Sequence, residues 1–201
     1  MFYEVARGHG LPHDPFKAIV APRPIGWITT MSLDGDVNLS PYSFFNIVAD
    51  SPHLVSFSSM GKKDAMTFAE EGGDFVCNFA TWDLRDQMNQ SSAPFARGVN
   101  EMAKAGLTPV PSNLVRPPRI AGVHAALECK WVETINLKNI DRQDAGYFMV
   151  IGQVVGVHIE DRFLSDGIVD TAAMYPIMRG GYFDYFTVGP ENKFSMPRPS
   201  A

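Results

Sequence analysis

No stretch narrows the possible folds more than residues 25–31, Ile-Gly-Trp-Ile-Thr-Thr-Met, which lead into the Asp34-Gly35 pair. β-Branched and aromatic residues suit a pleated, half-buried strand. Asp-Gly supplies the positive φ angles of a tight hairpin turn. A returning strand over residues 36–40 is the expected consequence. Further runs at 54–58, 75–80, 125–135 and 147–159 are enriched in Val, Ile, Phe and Cys, which makes at least six strands. The polar segment 136–146, with Asn139, Asp141, Arg142 and Gly146, suits an elaborated hairpin loop between the last two. Pairing is therefore expected to be antiparallel.

Segments with helical spacing are fewer and shorter. Residues 63–71 bring Ala65, Phe68 and Ala69 to one face and stop at Gly72-Gly73. Residues 81–90 offer Trp82, Leu84, Arg85 and Met88, and residues 94–105 carry Pro94 in a first turn with Gly106 just past the end. Strands outnumber helices and do not alternate with them, so the expected fold is mainly β, an antiparallel sheet or barrel with peripheral helices. A chain of 201 residues supports one well-buried core. Residues 1–188 read as one domain and the Pro-rich 189–201 as an extended or disordered tail.

The formal net charge of −5 speaks against a nucleic-acid partner, which would require a basic face. The longest nearly apolar run, 147–159, contains Gln153 and is shorter than the ~20 residues of a membrane-crossing helix. Residues 1–15 lack the apolar centre of a signal peptide, so the cytoplasm is the expected location and no membrane is an expected partner. Cys77 and Cys129 lie in apolar stretches with no metal-ligand spacing and read as buried reduced thiols. His9 and His13 are separated by Gly10 and Pro12, which suits a surface loop, and His53, His124 and His158 read as solvent-facing or capped. No metal site is expected. Gly8-His9-Gly10 lacks the third glycine and flanking strand of a dinucleotide fingerprint, and neither a GxSxG elbow nor a phosphate-loop motif occurs.

Two clusters remain. Residues 38–46, Asn-Leu-Ser-Pro-Tyr-Ser-Phe-Phe-Asn, alternate amide, hydroxyl and aromatic groups, and Pro41 cannot donate to a ladder, so this strand bends or lies at an edge. Its backbone donors can face a ligand or simply water. Residues 56–63, Ser-Phe-Ser-Ser-Met-Gly-Lys-Lys, run from a strand into a helix start. Free N–H groups, the positive end of the helix dipole and lysine charge would attract a phosphate there. The same residues also suit a Ser-rich helix start with solvated lysines.

Taken in order, Pro22 to Thr30, Asp34-Gly35, Asn38 to Asn46, Ser58-Ser59, Lys63-Asp64, Phe75 to Asn78 and Pro176 to Arg179 resemble the flavin-reductase-like family of FMN-binding split-barrel proteins. That family includes flavoredoxins and the reductase partners of flavin-dependent oxygenases. The resemblance implies an antiparallel, Greek-key-like split β-barrel that holds FMN. It implies that the segment with Asn38, Ser40, Pro41, Tyr42, Ser43, Phe45 and Asn46 passes the isoalloxazine ring, with Thr29 or Thr30 approaching from the neighbouring strand. Ser58, Ser59 and Lys63 would hold the phosphate, and Arg179 and Tyr185 would complete the site.

The implied chemistry is hydride transfer from NADH or NADPH to the flavin, with no protein acid or base required for that step. The region 86–100, with Met88, Asn89, Ser91, Ser92 and Phe95, corresponds to the segment that covers the flavin and selects the substrate. A homodimer is implied, with an oxygenase or electron-transfer partner. Two other readings stand beside this one: an FMN-binding electron carrier with little nicotinamide activity, and a split barrel that binds another ligand such as haem. The chain departs from the family pattern twice. Ala65 stands where a Thr would add a phosphate hydroxyl, and Tyr182 stands where the pattern Arg-x-Gly-Gly-x-x-Tyr has its second Gly.

Overall fold

The computed structural model describes residues 1–199. After β1 (Arg23–Pro24), seven strands build one antiparallel sheet. They are β2 (Gly26–Met31), β3 (Val37–Tyr42), β4 (Phe45–Ala49), β5 (Leu54–Met60), β6 (Asp74–Phe79) and, past the short β7 (Pro109–Val110) and β8 (Arg119–Ile120), β9 (Ala125–Lys138) and β10 (Asp144–Ile159). The order across the sheet is β3-β2-β6-β9-β10-β5-β4.

β3 and β4 thus form opposite edges, yet only Ser43 and Phe44 separate them in the chain. Three Cα steps span at most ~11 Å. A flat sheet of this width would put its edges roughly 29 Å apart. The sheet must therefore curl until its edges meet, and because no ladder joins β3 to β4 the barrel stays split along that seam. The chain has the split-barrel fold read from its sequence.

The barrel is filled by Ile28, Phe57, Phe75, Cys77, Cys129 and Val150, all buried, while the opposite strand face buries Trp27, Leu39 and Val76 under Met88 and Met102. Both thiols are buried and free. Two glycines make room for this packing. A Cβ on Gly26 would stand 2.5 Å from the ring of Phe45, and one on Gly152 would stand 2.3 Å from the ring of Phe75.

Helices sit outside the sheet: α1 (Phe16–Ile19), α2 (Asp64–Gly72), α3 (Arg85–Gln90) and α4 (Glu101–Lys104). α2 ends where Gly73 adopts φ 74°, as its glycine pair suggested. The expected helix over 94–105 shrinks to α4, because Pro94 and Gly98, at φ 83°, break the earlier turns. The segment 81–90 opens with a 3₁₀ turn at Trp82–Leu84 before α3. The run 38–46 is two strands, parted by the seam crossing.

Beyond β11 (Leu164–Ser165) and β12 (Ile168–Val169), β13 (Ile177–Arg179) pairs with β1 on one side and β14 (Tyr185–Thr187) on the other. The tail includes a 3₁₀ turn at Pro190–Asn192, and its last residues, Ser200 and Ala201, lie outside the described part. Among the described residues no helix is long and apolar enough to cross a membrane, and no group of three or more metal-ligating side chains occurs.

Gly152→Ala is expected to lower the unfolding free energy by about 1–3 kcal/mol through overpacking against Phe75. The same change made on a Phe75→Leu background should cost measurably less, and urea unfolding of the four proteins of that cycle reads the difference.

Candidate functional site

Edge strand β3 carries the polar residues of the first cluster, and the chain folds a wall over them. A cavity of about 430 Å³ lies between Asn38, Ser40, Pro41 and Tyr42 on one side, Lys63, Asp64 and Ala65 at the head of α2, and Ser92 to Arg97 opposite. That size falls within the usual range of small-molecule sites, roughly 300–1,000 Å³. It continues past Pro41 and Ser92 into a groove lined by Ser43, Met88, Asn89, Arg179 and Tyr185. One channel therefore gathers Asn38, Ser40, Pro41, Tyr42, Ser43, Lys63, Arg179 and Tyr185.

The remaining candidates stand elsewhere. Thr29 and Thr30 are fully buried on β2, and the Thr29 hydroxyl accepts the Asn78 amide at 2.9 Å. Phe45 and Asn46 line a separate hollow shared with Ser43 and Ser56. Ser58 gives its N–H to the Phe44 carbonyl at 2.8 Å, and the buried Ser59 hydroxyl donates to the Met60 carbonyl at 3.3 Å, both on β5 before the turn into α2.

The channel's floor depends on Glu101, which sequence reasoning did not single out. Its carboxylate accepts the Asn38 side-chain amide at 2.7 Å and the Leu39 backbone N–H at 3.0 Å. The second bond pairs an edge N–H of β3 that no further strand can reach. The first fixes which way the Asn38 amide points, and leaves Asn38 Oδ1 buried beside the channel without a partner among the described residues. Burial pushes the Glu101 carboxyl above its ordinary range, and the hydrogen bonds from Leu39 and Asn38 offset this only in part. Burial likewise raises the Tyr42 phenol, which stays neutral.

Charge is distributed unevenly along the channel. At the α2 end stand Lys63, which forms no ion pair among the described residues, and Arg97, 3.7 Å from Asp64. Among the described residues no side chain caps the first turn of α2, whose residues Asp64 and Ala65 line the same space. At the other end the Arg179 guanidinium lies 4.5 Å from the Tyr185 ring centroid and donates to the Tyr182 carbonyl. Tyr182 itself adopts φ 50°, a left-handed conformation that glycine takes without strain. From the region 86–100, Met88, Asn89, Ser92 to Phe95 and Arg97 line the channel, and the Trp27 indole donates to Ser91 Oγ at 2.9 Å.

His124, read from the sequence as solvent-facing or capped, is buried, its ring 3.1 Å from a Glu160 carboxylate oxygen and 3.6 Å from an Asp83 oxygen. Glu128, wholly buried, was also missed. Burial pushes its carboxyl up, but hydrogen bonds from Asn113 N–H, His158 and Leu114 N–H outweigh this and hold it below the ordinary range.

Residues 20–176 match the family model described as the flavin reductase like domain. A protein of Halalkalibacterium halodurans is 35% identical over 186 residues, 90% of this chain and 88% of that one. Among solved structures, nitrilotriacetate monooxygenase component B from Bacillus cereus superposes with a TM-score of 0.87 at 27% identity, covering 98% of both chains. Flavoredoxin of Desulfovibrio vulgaris superposes at 0.77 with 21% identity over 90% of this chain and 92% of that one, a likeness of fold.

Two outcomes are expected from this geometry. Tyr182→Gly should raise stability by about 1 kcal/mol by relieving the left-handed conformation, read as a higher thermal midpoint. Glu101 holds its proton to higher pH in the folded chain than in the unfolded one. Its contribution is therefore full below the unfolded value near ~4.3 and declines as pH rises through the folded value. Relative to Glu101→Gln, the parent protein should lose stability over that rise, as followed by urea midpoints.

Proposed function

The chain belongs to the flavin reductase-like family, and on that premise we propose that its channel binds FMN and serves a reductase that takes hydride from NADH or NADPH. The observation that carries this reading is the buried Asn38 Oδ1, unpartnered among the described residues, beside a channel whose α2 end combines uncapped helix N–H groups with Lys63 and Arg97. An unpaired buried acceptor costs about 1–3 kcal/mol. A ligand N–H or O–H removes that cost, and the ring and ribityl chain of a flavin offer both. Lys63, Arg97 and the free helix N–H groups suit a monophosphate, with Asp64 and Glu101 in the same lining.

Within this reading Lys63, Arg97 and the first N–H groups of α2 hold the phosphate. Asn38, Ser40, Tyr42 and Ser43 line the ring, and Arg179, backed by Tyr185, supplies positive charge where a reduced ring carries negative charge. Bound FMN supplies the hydride-accepting chemistry. The protein's own part is to orient and to exclude water, with the segment 92–97 as the cover. Ala65 brings only a methyl group to the phosphate end, so that end depends on charge and backbone rather than on a further hydroxyl.

We read the working molecule as a homodimer, because Ile47 and Val48 on edge strand β4 are 66% and 49% exposed and Phe44 beside them is 39% exposed. By its name the Bacillus cereus protein is one component of a monooxygenase. An oxygenase or electron-transfer protein is accordingly the proposed acceptor of electrons from this chain.

The test compares FMN with riboflavin. Lys63→Gln is expected to weaken FMN about tenfold, ~1.4 kcal/mol, and to leave riboflavin binding as it is, as measured by flavin fluorescence quenching. Mixing the flavin-loaded protein with NADH or NADPH should bleach the visible absorbance within seconds. Bound flavin that neither donor bleaches makes the chain an electron carrier, and a protein that takes up no FMN ends the flavin reading.

A further inference from the structure

Arg23 and Arg179 stand directly opposite one another in the β1–β13 ladder. Antiparallel partners place their side chains on one face, where like charges repel. Among the described residues neither guanidinium, nor the ammonium of neighbouring Lys17, forms an ion pair with a carboxylate. Arg23 is only 9% exposed. Its Nη atoms donate to the carbonyls of Lys17, Val20 and Gly180, while its Nε is buried with no partner among the described residues. Carbonyl acceptors satisfy donors but leave the charge uncompensated. Burial first, and then the Arg179 charge, hold the Arg23 guanidinium below its ordinary pKa.

These groups surround a cavity of about 540 Å³, with His13 and Lys17 on its outer wall. The His13 ring rests against Tyr182 with centroids 5.8 Å apart. Among the described residues the one carboxylate in the lining, Asp14, accepts the Phe16 N–H at 2.9 Å. The cavity meets the flavin channel through Ser43 and Arg179, at the end away from Lys63 and Arg97. The channel thus has basic side chains at both ends, offset at the α2 end by Asp64 and Glu101, and FMN carries one phosphate. Lys63, Arg97 and the α2 amides account for it, so the second end calls for a second anion.

We propose that this second cavity binds the diphosphate of the nicotinamide dinucleotide, with Lys17, Arg23 and Arg179 as counter-charges and Arg23 Nε–H as a donor. The identity of the nucleotide rests on the reductase reading; the anion site itself rests on the paired arginines. A monocarboxylate would be satisfied by a single bidentate arginine. Three cations around one cavity match a dianion instead.

The test titrates ADP-ribose, which has the diphosphate and lacks the nicotinamide ring, into the purified protein with and without added FMN, by calorimetry. Binding is expected to the parent protein, weakening at raised ionic strength, and at least tenfold weaker in Lys17→Glu, with FMN affinity equal in both. If Lys17→Glu fails to fold, Lys17→Gln should show the same trend at about threefold. Absence of ADP-ribose binding, equal binding to parent and variant, or benzoate binding as tightly as ADP-ribose overturns the proposal. If ADP-ribose behaves as expected while neither NADH nor NADPH bleaches the flavin, the reductase reading falls and the anion site stands. Rapid bleaching with no ADP-ribose binding removes the anion site and leaves the reductase reading in place.

Discussion

The two-residue crossing from β3 to β4 governs the rest of the molecule. It forces a seven-stranded sheet to curl until its edges meet, and it leaves the seam without a ladder. Phe45, the first residue past the crossing, lies against the Cα of Gly26, so the seam closes by packing where it cannot close by hydrogen bonds. An unladdered edge exposes backbone donors. β3 disposes of one through Glu101, which binds the Leu39 N–H, and the same carboxylate sets the Asn38 amide that faces the channel. The site is thus a by-product of how the barrel is split: a closed barrel would have spent those groups on a neighbouring strand.

Much of this was legible in the sequence because it depends on local signals. The Asp34-Gly35 turn, the strand composition of 25–31 and 147–159, and the glycine stop after residue 71 act over a few residues, and the structure follows each. Of the polar and aromatic run 38–46, Asn38 and Ser40 to Ser43 line the channel while Phe45 and Asn46 line a separate hollow, and Pro41 marked an edge. What sequence could not carry were pairings made across the fold. Glu101 reaches residues 62 and 63 positions away, and a glutamate three residues before a lysine in a short helical segment reads as an exposed charge until that contact is known. The break of the 94–105 helix was in principle visible at Gly98, but Pro94 and Gly106 frame the segment so well that a continuous helix reads more naturally. Thr29 and Thr30 show the converse: their polarity invites a ligand role, and the structure gives the Thr29 hydroxyl to Asn78 in the core.

Electrostatics separate structural from ligand-facing charge in this molecule. Glu128 is completely buried and fully supplied with donors from Asn113, Leu114 and His158, so its charge is stabilised within the fold and nothing further is asked of it. Asp74, also buried, meets Lys130 at 3.3 Å. Lys63 and the Arg23–Arg179 pair are the opposite case. They sit at cavities and lack carboxylate partners among the described residues; in a chain of net charge −5, Lys17, Arg23 and Arg179 outnumber Asp14 around their cavity, whereas Asp64 and Glu101 share the lining with Lys63 and Arg97. A distribution of that kind disfavours anions over an acidic surface and favours them most at the cavity of the paired arginines.

The strain at Tyr182 belongs to the same logic. A tyrosine at φ 50° is costly where glycine would be free of strain, and the cost is tolerable because neighbouring groups determine the conformation from both sides. Arg179 holds the Tyr182 carbonyl, and the ring packs against His13. The tyrosine thereby connects the β13–β14 turn to the N-terminal segment that carries Lys17. Glycine would relax the turn but offer no ring for His13 to rest on, and the outer wall of the second cavity would lose that contact with the barrel. The departure from the family pattern thus exchanges local backbone ease for a built wall around the paired arginines, which is where an unassigned anion has reason to bind.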